Sequence, residues 1–517
     1  MLAGTGSDVG KSVLAAALCR IFRQDGYHPA PFKAQNMALN SFATPDGLEI
    51  GRAQAMQAEC AGISCSTDMN PLLLKPQSDH SSQVVLHGRA IGSRDAYRLW
   101  RENRHDAHAD IDFRREVCQA FDRLSQRYNP IVMEGAGSIS ELNLRDHDIV
   151  NMPMARHAGA DVILVADIDR GGVFASVYGS IMLQTPEDRK RIKGIIINKF
   201  RGDMRLFDEG RRMMEELCHV PVLGVVPYFK DIQLDDEDSV ALDRRQHHPL
   251  PANDNPDGKV NIAVVRLPHI SNYTDFDNLE RNARVHLYYS STPEEIMQAD
   301  IIILPGTKST MADLQALHDN GCANAVVEAH RQGKTVVGVC GGYQMMGVAV
   351  LDPDGVEGST PRIDGLGLLP VTTTMQGTKT TRQTAFRLAF TPATPLFTHH
   401  SSLFTSYEIH MGLTTPVDGA PESPFALLDD GRTDGYVVDS RCMGTYLHGL
   451  FDNSAVVDLL LATQPSPSSA VPYTEAVPQS PTPSYHDFKQ QQYDLLAAHV
   501  RQHVDIEKLY TILKSND

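Results

Sequence analysis

The chain alternates short apolar runs with longer segments whose apolar residues recur at helical spacing. In its first half, VILVAD ends at Asp167, GIIINKF at Phe200 and VPVLGVVPY at Tyr228, and polar or glycine-containing turns bound each run. Apolar runs of roughly four to eight residues, separated by helical segments, are typical of βαβ units whose strands form a parallel sheet. The pattern therefore predicts an α/β fold with a mostly parallel sheet.

A second series of the same kind occupies the later part of the chain. It begins with VNIAVVRL, continues with ADIIILPGT and reaches TVVGVC at Cys340. Between the two series, residues 233–258 are acidic and then rich in Pro, Asn and Asp, which indicates a surface linker. The pattern therefore predicts two α/β domains joined by this linker, residues 1–232 and residues 259–455.

The end of the chain departs from this alternation. Residues 456–484 are rich in Pro and Ser, a composition that favours a flexible connection. Beyond them, Leu496, Val500 and Val504 recur at helical spacing, which predicts a helix within residues 485–517 with one packing face.

Composition narrows the choice of partner and compartment. The chain has 517 residues, 42% of them hydrophobic, and a formal net charge of -17 without a long basic run. This charge disfavours nucleic acid and anionic membranes, so we expect a small-molecule partner. There is neither a run of about 18 apolar residues nor an amino-terminal signal pattern. The eight cysteines form no Cys-x-x-Cys pair, and we expect a soluble protein of the reducing cytoplasm of unknown oligomeric state.

The chain opens on a glycine-rich segment, Gly4-Thr-Gly-Ser-Asp-Val-Gly-Lys11-Ser12, followed by the helix-like VLAAALCRIF. Glycines, a lysine and a hydroxyl at a strand-to-helix junction let backbone N–H groups surround phosphates, while the lysine neutralises them and the hydroxyl binds Mg²⁺. A glycine-rich turn before a helix is the alternative, which the Lys-Ser pair disfavours. Only three residues precede Gly4, which is compatible with a start further upstream. The expected nucleotide-binding residues are Gly4, Thr5, Asp8, Val9, Gly10, Lys11 and Ser12, together with Asn198, whose amide could read an adenine edge at the end of a later strand.

Further polar residues follow the predicted strands. Glu134 comes directly after IVM and could complete the Mg²⁺ shell with Ser12, the alternative being an acidic turn residue. In FKAQN, a cation and two amides could reach phosphate or substrate. The two aspartates of NLRDHDIVN could bind a metal or the substrate, the alternative being that they are solvated charges of a loop. These substrate or synthetase candidates are Lys33, Gln35, Asn36, Asp146 and Asp148.

Cys340 lies between an apolar run and the pair Gly341-Gly342, a sequence that predicts a strand, a sharp turn and a helix. A nucleophile on such a turn projects from the sheet edge, where a helix N-terminus favours the thiolate and backbone N–H groups can hold an oxyanion. A buried structural cysteine is the alternative. Gly306, at the end of another strand, could offer a second oxyanion N–H, and His448 is the expected general base.

These motifs resemble those of known families. Cys340-Gly-Gly342-Tyr-Gln344 is similar to the Cys-x-Gly-x-Gln elbow of class I, triad-type glutamine amidotransferases, which implies a glutamine or oxyanion role for Gly341, Gly342 and Gln344. The phosphate loop resembles the longer loop of the dethiobiotin synthetase group, because Thr5 stands where the common G-x4-G-K-[ST] pattern has glycine. Both halves together, with FKAQNMALNS, EGAGSISELNLRDHDIVNM, ADIDRGGVFAS and SYEIHMG, resemble the cobyric and cobyrinic acid amidotransferase family over nearly the whole chain.

Two features depart from these families. The carboxy-terminal linker is longer than in the cobyric and cobyrinic family. The His-x-Glu motif of most class I amidotransferases is His448-Gly-Leu450 here, so the sequence does not explain what orients His448.

The resemblance implies a reaction and its cofactors. Cys340 would release ammonia from glutamine with His448 transferring protons, and ATP with Mg²⁺ would convert a carboxylate to an acyl phosphate that ammonia displaces. The implied substrate is the corrinoid adenosylcobyrinic acid a,c-diamide, which would be amidated to adenosylcobyric acid in cobalamin biosynthesis.

Two alternatives differ from this expectation. The first is the same chemistry on another acid, chiefly that of cobyrinic acid a,c-diamide synthase, against which FKAQNMALNS counts. The second is a switch of the partitioning-ATPase kind with an inactive docking domain. Such switches carry a lysine four residues before the loop's last glycine, where this chain has Gly6, and the intact Cys340 and His448 also disfavour this alternative.

Overall fold

In a computed structural model of the chain, residues 1–78, 80–95, 111–229, 231–235, 248–251, 255, 258–390, 402–464 and 484–514 are described. The chain forms two compact units. The first contains residues 1–38, 50–237 and 489–517, and the second contains residues 39–49 and 238–488. Each unit is therefore assembled from separate stretches of sequence. Within the described ranges, no helix combines the length and the apolar character needed to cross a membrane.

A four-stranded parallel sheet lies at the centre of the first unit. Consecutive residues of the strand Val162–Asp167 belong alternately to two hydrophobic clusters: Ile163 and Val165 to one, Leu164 and Ala166 to the other. Since successive side chains of a strand point to opposite faces, both faces are covered, which explains the continuous apolar runs of the sequence. The predicted parallel sheet is confirmed, and its strands, in spatial order, are Leu2–Gly4, Val162–Asp167, Ile192–Phe200 and Val222–Pro227.

Smaller sheets and helices complete the first unit. A parallel pair joins Ala30–Phe32 to Ile131–Met133. A further sheet, which the sequence did not predict, consists of Gln35–Met37, Leu72–Ser78, Ser81–Leu86 and Arg89–Asp95. The helices that precede the carboxy-terminal region are Lys11–Gln24, Arg52–Ala61, Phe113–Ser125, Met152–His157, Val173–Met182, Pro186–Arg191 and Asp208–Cys218, with 3₁₀ turns at Thr67–Met69, Leu142–His147 and Met204–Phe207.

The carboxy-terminal region packs into the core of the first unit. The predicted stripe of Leu496, Val500 and Val504 is fully buried there, in one hydrophobic cluster with apolar residues of the helix Lys11–Gln24. The region forms two helices, Tyr485–His503 and Ile506–Lys514. The break falls where Asp505 donates its backbone N–H to Leu223 and its carboxylate accepts from the N–H of Lys508, which starts the second helix.

The second unit contains two sheets. The strands predicted from VNIAVV, IIIL and TVVGV are confirmed in a sheet of Val285–Ser290, Val260–Val265, Ile301–Leu304, Thr335–Val339, Cys442–Thr445 and Tyr436–Asp439, all parallel except the last. The other sheet contains Arg362–Asp364, Ala349–Leu351, Val371–Leu388, Phe404–Pro416, Leu447–His448, Ala426–Leu428 and Thr433–Asp434. The segment of residues 39–49 adds the strand Ser41–Ala43 and the first residue of Glu49–Gly51.

One helix of the second unit, Gly341–Met346, directly follows Cys340. The helices of this unit are Asp277–Glu280, Pro293–Gln298, Thr310–Asp319, Cys322–Arg331, Gly341–Met346 and Ser454–Leu461, with 3₁₀ turns at Tyr273–Phe276 and Leu450–Asp452.

Part of one predicted linker is helical in the structure, and most of the other lies outside the described residues. The helix Ser454–Leu461 continues into residues 456–461, which the sequence assigned to the Pro/Ser-rich linker 456–484. Its apolar side chains, among them Val457 and Leu460, are buried in the core of the second unit, so the apolar run VVDLLL is helical. Residues 465–483 lie outside the described residues, as does most of the linker predicted at 233–258.

Candidate active sites

Cys340 occupies a strained turn between a strand and a helix. Its backbone has φ 51° and ψ −108°, a left-handed φ that costs a non-glycine residue about 1–3 kcal/mol. The turn is held by the Cys340 N–H, which donates to the Thr445 carbonyl at 2.8 Å. A Cβ on Gly342 would lie 1.9 Å from the Leu304 carbonyl oxygen, so only glycine fits there. The predicted strand, sharp turn and helix around Cys340 are confirmed.

His448 lies beside Cys340 and is paired with a carboxylate. It ends the short strand Leu447–His448 and is 1% exposed, and its ring interacts with the Cys340 side chain. The other side of the ring places Nδ1 2.6 Å from Oδ2 of Asp275, and Asp275 Oδ1 accepts the backbone N–H of Gly449 at 3.0 Å. Cys340, His448 and Asp275 thus lie in series, with the imidazole between the thiol and the carboxylate.

The environment of His448 favours its protonated form. Burial alone lowers the pKa of His448, but the charges of Asp275 and Cys340 and their hydrogen bonds outweigh it and raise this pKa to about 10. A protonated imidazole beside the sulfur is the arrangement that activates cysteine nucleophiles.

Asp275 is the functional candidate that sequence reasoning missed. It lies in the 3₁₀ turn Tyr273–Phe276, 173 residues before His448, and is 5% exposed. Leu450, at the position of the His-x-Glu carboxylate, is instead 2% exposed in the apolar core. The available signal was NYTDFDN, an acidic stretch soon after the first strand of the second α/β series, at the sheet edge where the carboxyl ends of parallel strands meet.

Tyr407 forms one wall of this site. Its ring stacks on His448 with centroids 5.2 Å apart and planes 20° from parallel, and its hydroxyl lies 3.5 Å from Asp275 Oδ1. The thiol of Cys340 lies 3.4 Å from the backbone carbonyl oxygen of Ile409 on the same strand as Tyr407.

The predicted oxyanion and glutamine residues surround the same turn. A Cβ on Gly306 would lie 3.1 Å from His448 Cε1, and a Cβ on Gly341 would lie 2.6 Å from a methyl of Thr307. Gln344 is 2% exposed, accepts from the Thr310 hydroxyl at 2.8 Å and donates to the Tyr446 hydroxyl at 3.2 Å. Gly306 therefore lies beside His448, and Gly341 lies next to Cys340 and Thr307. The side chain of Gln344 is hydrogen-bonded to other protein groups, the hydroxyls of Thr310 and Tyr446.

The phosphate loop of the first unit folds around the amine of Lys11. Lys11 Nζ donates to the backbone carbonyls of Gly6 at 2.9 Å and Gly137 at 3.1 Å. A Cβ on Gly4 would lie 2.8 Å from the Gly6 carbonyl oxygen and 2.9 Å from that of Gly137, which explains why glycine is needed there. At the start of the loop, the Thr5 N–H donates to Val165 at 3.0 Å.

Glu134 is the centre of a buried polar cluster below the loop. It is 2% exposed, and its Oε1 lies 2.8 Å from Lys33 Nζ and accepts from the Ser12 hydroxyl at 2.7 Å. Its Oε2 accepts from the amide of Gln57 at 2.8 Å, a contact that sequence reasoning missed. The structure thus brings together three residues that the sequence separated by up to 122 positions.

The other predicted nucleotide-site residues support the loop from outside. Asn198 Nδ2 donates to the Val9 carbonyl at 2.9 Å, and a Cβ on Gly10, whose φ is 95°, would lie 2.1 Å from that nitrogen. Asp8 has φ 56° and pairs with Arg170 at 3.0 Å. The adenine-reading role of Asn198 stays a prediction, and the contact in the structure is with the loop.

The remaining substrate candidates lie in different surroundings. The Asn36 amide donates to Gln54 at 3.1 Å within the buried interior, and Gln35 begins the strand Gln35–Met37 to which Asn36 also belongs. Asp146 lies in an exposed 3₁₀ turn. Asp148 accepts the N–H groups of Val150 and Asn151 at 2.8 and 2.9 Å, which is a local turn interaction, while burial raises its pKa.

The oxygens of Ser12 and Glu134 are of the kind that Mg²⁺ prefers, and they lie 2.7 Å apart next to a phosphate loop. Elsewhere among the described residues, no group of three or more His, Cys, Asp or Glu side chains could hold a metal ion. Ser12 and Glu134 therefore fit a nucleotide-bound Mg²⁺, which they would hold through these oxygens.

A thiol, an imidazole and a carboxylate in series in one unit, and a phosphate loop in the other, are the arrangement expected of a glutamine amidotransferase domain joined to a nucleotide-binding domain. The family models agree. Residues 1–240 match the CobQ/CobB/MinD/ParA nucleotide binding domain, and residues 261–456 match the CobB/CobQ-like glutamine amidotransferase domain.

Curated relatives match over the full length of the chain. The chain is 61% identical to a cobyric acid synthase of Bacteroides fragilis, 59% identical to one of Phocaeicola vulgatus and 47% identical to one of Citrobacter koseri. Each comparison covers all of this chain and 98% of the relative. The chain belongs to the cobyric acid synthase family, and it is an enzyme of glutamine-dependent amidation in cobalamin biosynthesis.

Proposed function

We propose that the protein uses glutamine and ATP to amidate carboxylates of a corrinoid, converting adenosylcobyrinic acid a,c-diamide to adenosylcobyric acid. The observation that supports this most is the presence, in one chain, of the Cys340–His448–Asp275 arrangement and of the Lys11 loop. A carboxylate does not react with ammonia unaided, so one unit supplies ammonia and the other activates the acid.

In the proposed glutaminase step, the Cys340 sulfur attacks the side-chain amide carbon of glutamine. Nδ1 of His448 is hydrogen-bonded to Asp275. Nε2 is therefore the nitrogen that exchanges protons with the Cys340 sulfur and with the amide nitrogen that leaves as ammonia. Ammonia departs, and water then hydrolyses the γ-glutamyl thioester to glutamate and free thiol. The N–H groups of Gly306 and Gly341 would stabilise the oxyanion of each tetrahedral intermediate.

In the proposed synthetase step, a substrate carboxylate oxygen attacks the γ-phosphorus of ATP, and ADP leaves. Ammonia then displaces phosphate from the acyl phosphate to give the amide. Lys11 would neutralise the phosphates, and Ser12 with Glu134 would hold Mg²⁺, which supplies further charge neutralisation. Lys33 balances the charge of the buried Glu134 carboxylate, and Lys33, Gln35 and Asn36 would contribute to the synthetase site.

Domain limits and compartment remain part of this proposal. We propose a synthetase domain at residues 1–232, to which the carboxy-terminal helices add. We propose an amidotransferase domain at residues 259–455, to which the buried helix Ser454–Leu461 adds. All eight cysteines, each within the described ranges, are free thiols, which supports a reducing compartment such as the cytoplasm.

The substrate is tested by mass spectrometry of corrinoid acids incubated with the protein, ATP, Mg²⁺ and glutamine. Adenosylcobyrinic acid a,c-diamide should lose about one mass unit per carboxyl converted to amide, in successive steps. Cobyrinic acid, lacking the a and c amides, is the comparison substrate. Faster amidation of cobyrinic acid at its a and c positions would contradict the proposed substrate and favour the diamide synthase alternative.

A further inference from the structure

Residues 39–49 lie within the nucleotide-binding half of the sequence but fold with the second unit. This segment, which we name the 39–49 segment, makes a tight turn in which the Thr44 N–H donates to Leu48 at 2.7 Å. The Ser41 hydroxyl closes the turn by donating to Glu49 at 2.8 Å. Its contacts within the second unit reach two neighbours of His448, Tyr407 and the turn that carries Asp275.

The first contact is through aromatic rings. The Phe42 ring packs on the Tyr407 ring with centroids 4.7 Å apart and planes at 60°. Tyr407 in turn stacks on His448 and directs its hydroxyl towards Asp275. Phe42 therefore supports the ring that fixes the plane of the His448 imidazole.

The second contact is through the backbone that leads to Asp275. The Ser41 N–H donates to the side-chain oxygen of Asn272 at 2.9 Å. Asn272 is 3% exposed and has φ 52°, and it directly precedes the 3₁₀ turn Tyr273–Phe276 that carries Asp275. Asn is one of the residues that adopt this left-handed conformation readily, and the hydrogen bond from Ser41 restrains its side chain.

The segment is firmly anchored to the second unit. Glu49 is 1% exposed and pairs with Lys379 at 2.5 Å. The side-chain amide of Gln383 donates to the Ala43 carbonyl at 2.8 Å, which fixes the residue next to Phe42. Because both anchors lie on the strand Val371–Leu388, the segment rests on the sheet that also holds Tyr407.

We propose that Phe42 and Ser41 of the 39–49 segment are positioning residues for the Cys340–His448–Asp275 arrangement. Glutamine hydrolysis then depends on a part of the chain that the sequence places inside the nucleotide-binding half. The inference rests on the proposed role of Cys340 and His448 in that hydrolysis. Neither Phe42 nor Ser41 touches the reacting atoms, so their effect is on the orientation of His448 and Asp275.

The test compares Phe42→Ala with wild type in two assays, glutamine hydrolysis and amidation supported by ammonium chloride. We expect kcat for glutamine hydrolysis to fall roughly ten- to a hundredfold, since small misplacements of catalytic groups have effects of this size. We expect the KM for glutamine to change by less than about threefold and ammonium-supported amidation by less than about twofold, because the phosphate site is untouched.

Three further variants make the test selective. Phe42→Tyr keeps the ring and is expected to retain most of the hydrolysis. Phe42→Leu keeps apolar volume without a ring, so it is the measurement to use if Phe42→Ala does not fold, and we expect the same selective loss of kcat. Leu413→Ala changes an exposed residue on the strand of Tyr407 and is expected to match wild type.

Wild-type hydrolysis in Phe42→Ala and Phe42→Leu would overturn the inference. Equal losses with both nitrogen sources would also overturn it, because they indicate a general loss of packing. Cys340→Ala, measured in parallel, separates the inference from the proposed function. If Cys340→Ala loses hydrolysis while the Phe42 variants keep it, only the inference fails, whereas hydrolysis by Cys340→Ala would overturn the function itself.

Discussion

At the scale of single residues, the chemistry that we propose for the second unit depends on how the His448 imidazole is held. His448 is 1% exposed, and its Nδ1 lies 2.6 Å from Asp275. A carboxylate in this position fixes the tautomer of the ring and stabilises the imidazolium formed during proton transfer. The departure from the His-x-Glu motif therefore has a structural explanation, since the carboxylate comes from a distant turn.

Asp275→Asn tests this arrangement. The amide keeps the shape of the side chain but removes its charge and can present an N–H to Nδ1, which favours the wrong tautomer. We expect glutamine hydrolysis to fall roughly 10²–10⁴-fold, while ammonium-supported amidation stays close to wild type. The control is Asp319→Asn, which removes an exposed carboxylate from the same unit. Unchanged glutamine hydrolysis in Asp275→Asn would show that His448 is oriented by other groups.

The residues of this arrangement differ in how visible they are in the sequence. Cys340 is visible because apolar residues and glycines mark its turn locally. His448 is visible because it ends an apolar run and follows a nucleophile. Asp275 is not, because its role depends on a contact across 173 residues that no local pattern records.

At the scale of elements, the phosphate loop consists of one strand, one turn and one helix, and the amine of Lys11 lies at its centre. Lys11 Nζ bonds to carbonyls on two sides, from Gly6 in the loop and Gly137 after a later strand. The glycines and the Lys-Ser pair could be predicted because their spacing is local. The support from Asn198 and Gln57 could not be predicted in this form, because these residues lie on a strand and a helix that are distant from the loop in sequence.

Lys11→Ala and Glu134→Gln test the assignment of this element. Each change removes a charge that would compensate phosphate or Mg²⁺ during phosphoryl transfer. We expect amidation to be abolished with glutamine and with ammonium alike, and far-ultraviolet circular dichroism to show a folded protein. The control is Lys190→Ala, which removes an exposed lysine of the same unit. Near-normal amidation by either variant would contradict the role assigned to that residue.

At the scale of the whole molecule, the two units do not follow the order of the sequence. The carboxy-terminal helices complete the core of the first unit, where Tyr493, Leu496 and Val500 are each at most 1% exposed. Helical periodicity predicted that this face is packed, but it does not record the partner, because an apolar stripe fits any complementary surface. The membership of residues 39–49 in the second unit could not be predicted either, because it rests on polar contacts with residues 231 to 340 positions away.

The contribution of the carboxy-terminal helices is measurable by urea unfolding. Leu496→Ala removes a fully buried side chain and should lower the free energy of unfolding of the first unit by about 2–5 kcal/mol. Leu495→Ala on the same helix is the matched control, since Leu495 is 50% exposed, and we expect a change within about 0.5 kcal/mol. Equal effects of the two changes would mean that this helix does not pack as the structure shows.

The central claim is that one unit supplies ammonia and the other consumes it, and Cys340→Ala tests it most directly. Product formed from adenosylcobyrinic acid a,c-diamide is measured with glutamine and, separately, with a high concentration of ammonium chloride, for the variant and the wild type. Because Cys340 would serve only to release ammonia, we predict no glutamine-supported amidation and largely intact ammonium-supported amidation in the variant. Full glutamine-supported amidation by Cys340→Ala would contradict the account.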